Sequence, residues 1–388
     1  MTYYIDIDVA KFVHVACVVD AQGSTVIKPF SFNNSKEGFE LLLSTIQTIG
    51  KHDIVFGFES TAHYHENLMY FIQSNNFDFK LINPIRTKRF RGLNIRDVKN
   101  DKVDSHSIAL YLAFNHSSEV NTHSLYLDNL YQLSVERDDL KAKRTREYIR
   151  LTAYLDRVFP ELKPFLGTSI KTKGVMQLLK TYSTAAEIRQ LRVDRIQNLL
   201  NTFRSCTSRE RVLQIKTLAS NSIGFHTQAL SLCIKSTILQ IELISQLLDA
   251  VEEEIMTIMK ELNSPVLQIP GMGYIQAATI VSVIGDINRF EKPEQLVAYA
   301  GLDPKVRQSG SFVASSTRMS KRGNKLLRYS VIWSAYNATR HSNTMRTYYD
   351  KKRAENKSHY NALGHCGKKL LHYIFFVLKN PETPFILE

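Results

Sequence analysis

The stretch Tyr3-Tyr4-Ile5-Asp6-Ile7-Asp8, followed after a short break by Val13–Asp20 (VHVACVVD), decides the reading of the N-terminal part of the chain. Both runs are rich in β-branched and aromatic residues, the composition of strands that pack on a sheet. Ala21-Gln22-Gly23-Ser24 reads as a turn, and Thr25–Phe32 as the third strand of a meander. The pattern then changes to a helix over Ser35–Ile49, a strand over Asp53–Phe58, a helix after Ser60 and a short strand over Phe77–Ile82. Three meandering strands followed by alternating helix and strand predict an α/β domain, a mixed sheet with helices packed against it.

Acidic residues fall at suggestive places in that pattern. Asp8 closes one strand in IDIDVAK, and Glu59 follows another in IVFGFEST. Asp101 and Asp104, in KNDKVDSH, are spaced i,i+3 and so share one face of a helix. Two strand ends and one helix turn can converge if the strands are neighbours. Carboxylates gathered in this way repel one another unless a hard cation sits among them, and Mg²⁺ is the natural choice. Each acid alone reads more simply as a solvated loop residue or a first-turn helix acid. The joint pattern is what points to a metal site. Asp6 lies on the same strand face as Asp8, so alternation alone does not choose between them.

The 388 residues suffice for two or three domains with cores of their own, and a composition of 44% hydrophobic and 22% charged residues excludes disorder. An excess of 50 Lys+Arg over 37 Asp+Glu, formally +13, favours a polyanionic partner. The apolar runs read as too short to span a membrane, and the N-terminus carries no signal-like core. Cys17, Cys206, Cys233 and Cys366 are far apart, which argues against a zinc knuckle and fits reduced thiols in a cytoplasm.

Basic residues concentrate in three stretches. Arg86, Lys88, Arg89, Arg91, Arg96, Lys99 and Lys102 lead into the acidic pair. Lys141, Lys143, Arg144, Arg146 and Arg150 follow on a helix, a run that reads equally well as a solvated face. Lys305–Arg328 contains Lys305, Arg307, Arg318, Lys321 and Arg322 and no acid. The first and third read as nucleic-acid backbone contacts.

From Leu125 to Leu262 the sequence is helical. Ile234, Ile241, Leu248, Ile255 and Leu262 recur every seven residues, with Ile244, Val251 and Ile258 between them, which defines a coiled-coil seam. Self-association through that seam is the favoured reading, and packing inside the chain the plainer one. Asn263-Ser264-Pro265 then breaks the helix. The expected domains are 1–160, 161–262 and 263–388.

In the last domain, Pro270-Gly271-Met272-Gly273 before the apolar helix Gln276–Ile284 resembles a helix-hairpin-helix turn whose free amides can meet phosphate. Downstream, YAGLDPKVRQSGSFVASSTRMSKRGNKLLR sets Ser309 beside Gly310 among Lys305, Arg307, Arg318, Lys321 and Arg322. Such cations can hold a phosphodiester against a hydroxyl. Serines 311, 315, 316 and 320 compete for that role on chemistry alone.

Taken together, IDVAK, FEST and KNDKVDS near one end, and IPGMG, YAGLDP, SGS and SKRGNKLLR near the other, resemble the DEDD/serine transposases of bacterial insertion sequences. These are the IS one-ten family, also called bridge recombinases. Order and spacing carry the resemblance, and the middle region matches only in character. The resemblance implies a RuvC-like RNase H fold with Asp8, Glu59, Asp101 and Asp104 as the Mg²⁺-binding DEDD set. It implies Ser309 as the nucleophile, in a composite site shared between protomers of a dimer or tetramer. It further implies donor and target DNA as substrates, a structured non-coding bridge RNA as guide, and a cytoplasmic, nucleoid-associated location. The resemblance also selects Asp8 over Asp6, because Asp6 stands where the motif has glycine. Ser60 and Ser105 replace expected alanines, and the middle region is longer than in compact members. The competing expectations are a metal-only junction-resolving nuclease and a non-catalytic nucleic-acid-binding protein. An actin-like sugar kinase is set aside because no second glycine-rich phosphate motif appears.

Overall fold

The computed structural model describes residues 2–50, 53–59, 64–82, 125–201, 207–304, 308–309, 312–313 and 319–385. The chain divides into two compact units, Met1–His123 and Ser124–Glu388.

In the first unit, β1 (Thr2–Asp8), β2 (Val13–Asp20), β3 (Thr25–Asn33), β4 (Asp53–Glu59) and β5 (Asp78–Ile82) form one sheet in the order β3-β2-β1-β4-β5. The meander is antiparallel, whereas β4 and β5 join parallel to β1. The turn after β2 is set by Asp20, whose carboxylate accepts from the N–H groups of Gln22 and Ser24, with Gly23 at φ 84°. The parallel return to β4 passes through α1 (Lys36–Gln47), capped by the Ser35 hydroxyl, and β5 follows α2 (Glu66–Ser74). Ile5, Ile7, Ala16, Val18, Phe32, Phe56 and Phe58 pack with Leu42, Ile46, Leu68 and Ile72 into one core. Alternation puts Tyr4, Asp6 and Asp8 on the other face, where Tyr4, Asp6 and Cys17 are also buried. β1 is therefore the central strand, enclosed on both sides.

The second unit is built on two long helices, α3 (Leu125–Val158) and α9 (Gln228–Leu262). They run antiparallel: Leu130 near the start of α3 shares a core with Ile255 and Ile258, whereas Leu151 and Leu155 share one with Ile234, Ile238 and Ile241. An Arg137–Glu252 ion pair at 2.6 Å joins their middle parts. The heptad seam of α9 is thus occupied by α3 of the same chain, not left open for another copy. Periodicity fixes which stripe is buried but not what buries it. One 18-residue window of α9 reaches a mean hydropathy of 1.2, enough in length and composition to cross a membrane, contrary to the sequence expectation. Its buried stripe is spent on α3, and Glu242 is bound to Lys180 at 2.7 Å.

Short helices α4 (Leu162–Leu166), α5 (Lys173–Thr181), α6 (Ala185–Arg189), α7 (Val193–Asn201) and α8 (Arg209–Ser220) pack around the far ends of this pair. The near ends carry α10 (Tyr274–Ile284), α11 (Pro293–Ala300), α12 (Lys325–His341), α13 (Asn343–Ala354) and α14 (His359–Lys379). The short strands β6 (Gln308–Ser309) and β7 (Phe312–Val313) lie between α11 and α12.

Candidate active site

Asp8 is the last residue of β1 and Glu59 the last of β4. The parallel register pairs Ile7 with Phe58, which carries Asp8 and Glu59 to the next rung on neighbouring strands. Adjacent strands are about 4.8 Å apart, and by strand alternation the two positions belong to one face. Two oxygen-donor residues at adjacent parallel strand ends fit a hard cation and do not suit a soft, thiolate-seeking one. Asp101 and Asp104 lie outside the described residues. Among the described residues no group of three or more His, Cys, Asp or Glu gathers into a metal site.

Asp6 is fully buried on that same face. Its row across the sheet runs Cys17, Asp6, Gly57, Lys80, with the glycine between the acid and a lysine that is itself buried. Asp6 therefore shares its face with a buried lysine two strands away.

The loop that leaves Asp8 is held from below. The N–H of Ala10 donates to Nδ1 of the fully buried His14 at 3.3 Å, and the Asn34 side chain donates to the carbonyl of Lys11. The His14 ring lies against Phe32 and Phe39. Burial holds this imidazole below its usual pKa, with a hydrogen bond to Asn34 opposing.

In the second unit, Ser309 sits on a two-residue-per-strand hairpin in which it pairs with Phe312, while Gln308 pairs with Val313. Below the hairpin, Pro304 bridges Met319. The stem is pinned further by Ser320 N–H to the Asp303 carbonyl, Asn324 N–H to the Tyr299 carbonyl, and the Arg328 guanidinium to the Ala300 carbonyl. Two glycines close it. Gly301 ends α11 at φ 69°, and a Cβ on Gly323 would lie 2.1 Å from the Tyr299 carbonyl and 2.3 Å from the Gly301 nitrogen. This accounts physically for YAGLD and SKRGN as a matched pair. The Ser320 hydroxyl donates to the Asp303 carboxylate at 2.5 Å, which gives that competitor a structural task. Serines 311, 315 and 316 lie outside the described residues.

The turn before α10 is similarly determined by packing. Gly271 has φ 80°, and a Cβ there would lie 2.8 Å from the Ala338 nitrogen of α12. Gly273 caps α10 without a side-chain hydrogen bond, leaving its first amides unclaimed by a cap.

Of the predicted nucleic-acid contacts, Lys321 and Arg322 are exposed beside the stem, with Lys321 in the left-handed region at φ 55°. Arg86, Lys88, Arg89, Arg91, Lys99, Lys102, Lys305, Arg307 and Arg318 lie outside the described residues. In the middle run, Lys143 pairs with Asp139 and Arg150 with Glu147, so part of that run is an ordinary salt-bridged helix face. The sequence pattern did not reveal the outward face of α12, where Tyr329 and Trp333 are exposed between Lys325 and Arg340. The available signal was aromatic residues at helical spacing on the side opposite Leu327, Val331, Ala335 and Ala338.

A family model described as a transposase, of the DEDD type, matches residues 5–160, and one described as the transposase IS116/IS110/IS902 family matches residues 263–350. The insertion element IS116 uncharacterized 44.8 kDa protein of Streptomyces clavuligerus is 26% identical, over 97% of this chain and 94% of its own length. The insertion element IS110 uncharacterized 43.6 kDa protein of Streptomyces coelicolor is 26% identical, over 62% of this chain and 60% of its own. The transposase for insertion sequence element IS1111A of Coxiella burnetii is 29% identical, over 45% of this chain and 49% of its own. By these matches the chain is a transposase, an enzyme that cleaves and recombines DNA. The chain belongs to the IS110 family of insertion-sequence transposases.

Proposed function

We propose that this transposase exchanges DNA strands through a serine ester, with the acidic face of the first unit and Ser309 of the second acting on one phosphodiester. The observation that carries the reading is the shared rung of Asp8 and Glu59 on adjacent parallel strands. Asp8, Glu59, Asp101 and Asp104 would hold Mg²⁺. When bound, the ion supplies charge stabilisation at the scissile phosphate.

The protein's own residues do the rest. The Ser309 oxygen bonds to phosphorus while the bond from phosphorus to one sugar oxygen breaks. The serine proton leaves to solvent or a carboxylate, and the freed sugar oxygen takes up a proton. Attack by a second DNA hydroxyl on the phosphoserine reverses these changes and completes the exchange, so the number of phosphoester bonds is conserved. Lys305, Arg307, Arg318, Lys321 and Arg322 orient the phosphate at the hairpin. Arg86, Lys88, Arg89, Arg91, Lys99 and Lys102 hold DNA or RNA backbone next to the acids. A RuvC-like fold of the first unit, a homo-oligomer sharing a composite site, a structured bridge RNA as guide and a place at the nucleoid belong to the same reading. With the α9 seam filled by α3, the outer residues Leu232, Leu239, Leu243 and Leu247 of α9, all exposed, are the surface left for self-association.

Supercoiled donor and target DNA incubated with protein, Mg²⁺ and element-derived RNA tests this. Wild type should yield recombinant junctions and Ser309→Ala none. Cleavage retained by Ser309→Ala would instead favour a metal-only nuclease.

A further inference from the structure

We propose that the outward face of α12 is a stacking platform for an unpaired DNA strand. Lys325, Tyr329, Trp333, Tyr336 and Arg340 recur at i, i+4, i+8, i+11 and i+15, so they form one stripe along the helix. The opposite face supplies Leu327, Val331, Ala335 and Ala338, all at 0% exposure, so the aromatic stripe is surplus to the core. Tyr329 is 43% and Trp333 45% exposed. Large aromatics left in water on a helix already anchored on its other side mark an interaction surface.

Charge and geometry indicate the occupant. Lys325 and Arg340 stand at the two ends of the stripe. Lys141 of α3 reaches over the Tyr329 ring at 5.5 Å from its centroid, and Arg340 over Tyr336 at 5.6 Å. A groove of about 720 Å³ between α3 and α12 is lined by Lys141, Lys325 and Tyr329, with Asp138 as its one acid. A surface that alternates rings and cations complements a chain that alternates bases and phosphates. The rings of Tyr329 and Trp333 meet edge-to-face at 67°, and those of Trp333 and Tyr336 at 88°. None is stacked flat on its neighbour, and with Lys141 over Tyr329 and Arg340 over Tyr336 the half-exposed Tyr329 and Trp333 still present ring surface to solvent. Duplex bases are already stacked on one another and cannot use such faces, whereas bases freed during strand exchange can. This inference rests on the reading of the chain as a strand-exchanging enzyme only in choosing DNA as the polymer. It does not depend on Ser309.

The chain has a single tryptophan, so Trp333 emission reports on the stripe directly. Full-length protein without Mg²⁺ is titrated with a 15-nucleotide oligo-dT, a duplex of equal length and oligo-U. Oligo-dT should quench Trp333 saturably, at least about tenfold more tightly than duplex. Tyr329→Ala should weaken oligo-dT binding by about 5- to 100-fold, the range expected for one lost stacking contact, and Tyr329→Phe should restore it. Lys141→Gln and Lys325→Gln should each lower the slope of log affinity against log salt by about 0.7. Oligo-dT binding with no change in Trp333 emission would overturn the proposal, as would equal quenching by duplex or preference for oligo-U. So would Tyr329→Ala binding as wild type while Tyr329→Phe does too. If quenching holds but no serine–DNA adduct forms, the strand-exchange chemistry fails and the platform stands. An adduct without quenching refutes the platform and leaves the chemistry standing.

Discussion

Asp8 and Ser309 are held by two different constructions. Asp8 ends the central strand of a five-stranded sheet, with a ladder on each side and a turn beyond it tied to His14 and Asn34. Ser309 stands on a hairpin reached through a stem that two glycines, Asp303 and Arg328 clamp shut. The first design fixes a position by many distributed hydrogen bonds, and the second by a few contacts at one neck. A site of the first kind tolerates loss of any single neighbour. A site of the second kind depends on the neck.

The two constructions should part most sharply under Asp8→Asn. The substitution keeps shape and removes charge, so strand cleavage should fall by about 10³-fold or more, roughly 4 kcal/mol of barrier, with little change in melting temperature. Single-turnover cleavage alongside thermal melting checks both halves. Next is Gly323→Ala, whose Cβ meets the Tyr299 carbonyl. It should cost about 2–4 kcal/mol in denaturant unfolding and reduce strand exchange, because the neck must open to admit the methyl group. Ser320→Ala should cost only about 1 kcal/mol by losing its bond to Asp303, and should keep recombination. Loss of recombination in that variant alone, with Ser309→Ala active, would move the proposed catalytic role from Ser309 to Ser320.

A smaller effect is expected from pH. Burial lowers the His14 pKa in the folded state, so the unfolded chain binds the proton more readily. Stability is therefore intact above about pH 6.5, the ordinary histidine value, and declines as pH falls through the lower folded value. Protection factors at Ala10–Phe12, taken relative to the intrinsic exchange rate at each pH, should fall on acidification, and His14→Gln should flatten that response.

The sheet was legible because each strand carried its own signature. The predicted Val13–Asp20 matches β2 at both ends, and the other four strands differ from expectation by one residue at an end. The seam of α9 was legible as a stripe, yet its partner was not, since Ile241 looks the same facing α3 or another copy. Composition alone makes α9 long and apolar enough to cross a membrane, and it does not record that Ile234 and Ile255 are buried in protein. The α12 stripe was faint in the sequence because Tyr329 and Trp333 count as apolar in a periodic reading, although their spacing sets them opposite Leu327, Val331, Ala335 and Ala338. Gly301 and Gly323 stood out as motif letters, but their mutual packing is a contact between residues 22 positions apart that no local pattern encodes.

The most direct test of the central claim is to trap the protein on radiolabelled DNA, digest the adduct and map the modified peptide by mass spectrometry. A phosphodiester link at Ser309, lost in Asp8→Asn, is the expected result. An adduct on any other residue, or efficient strand exchange with no protein–DNA link at any time, would contradict the account.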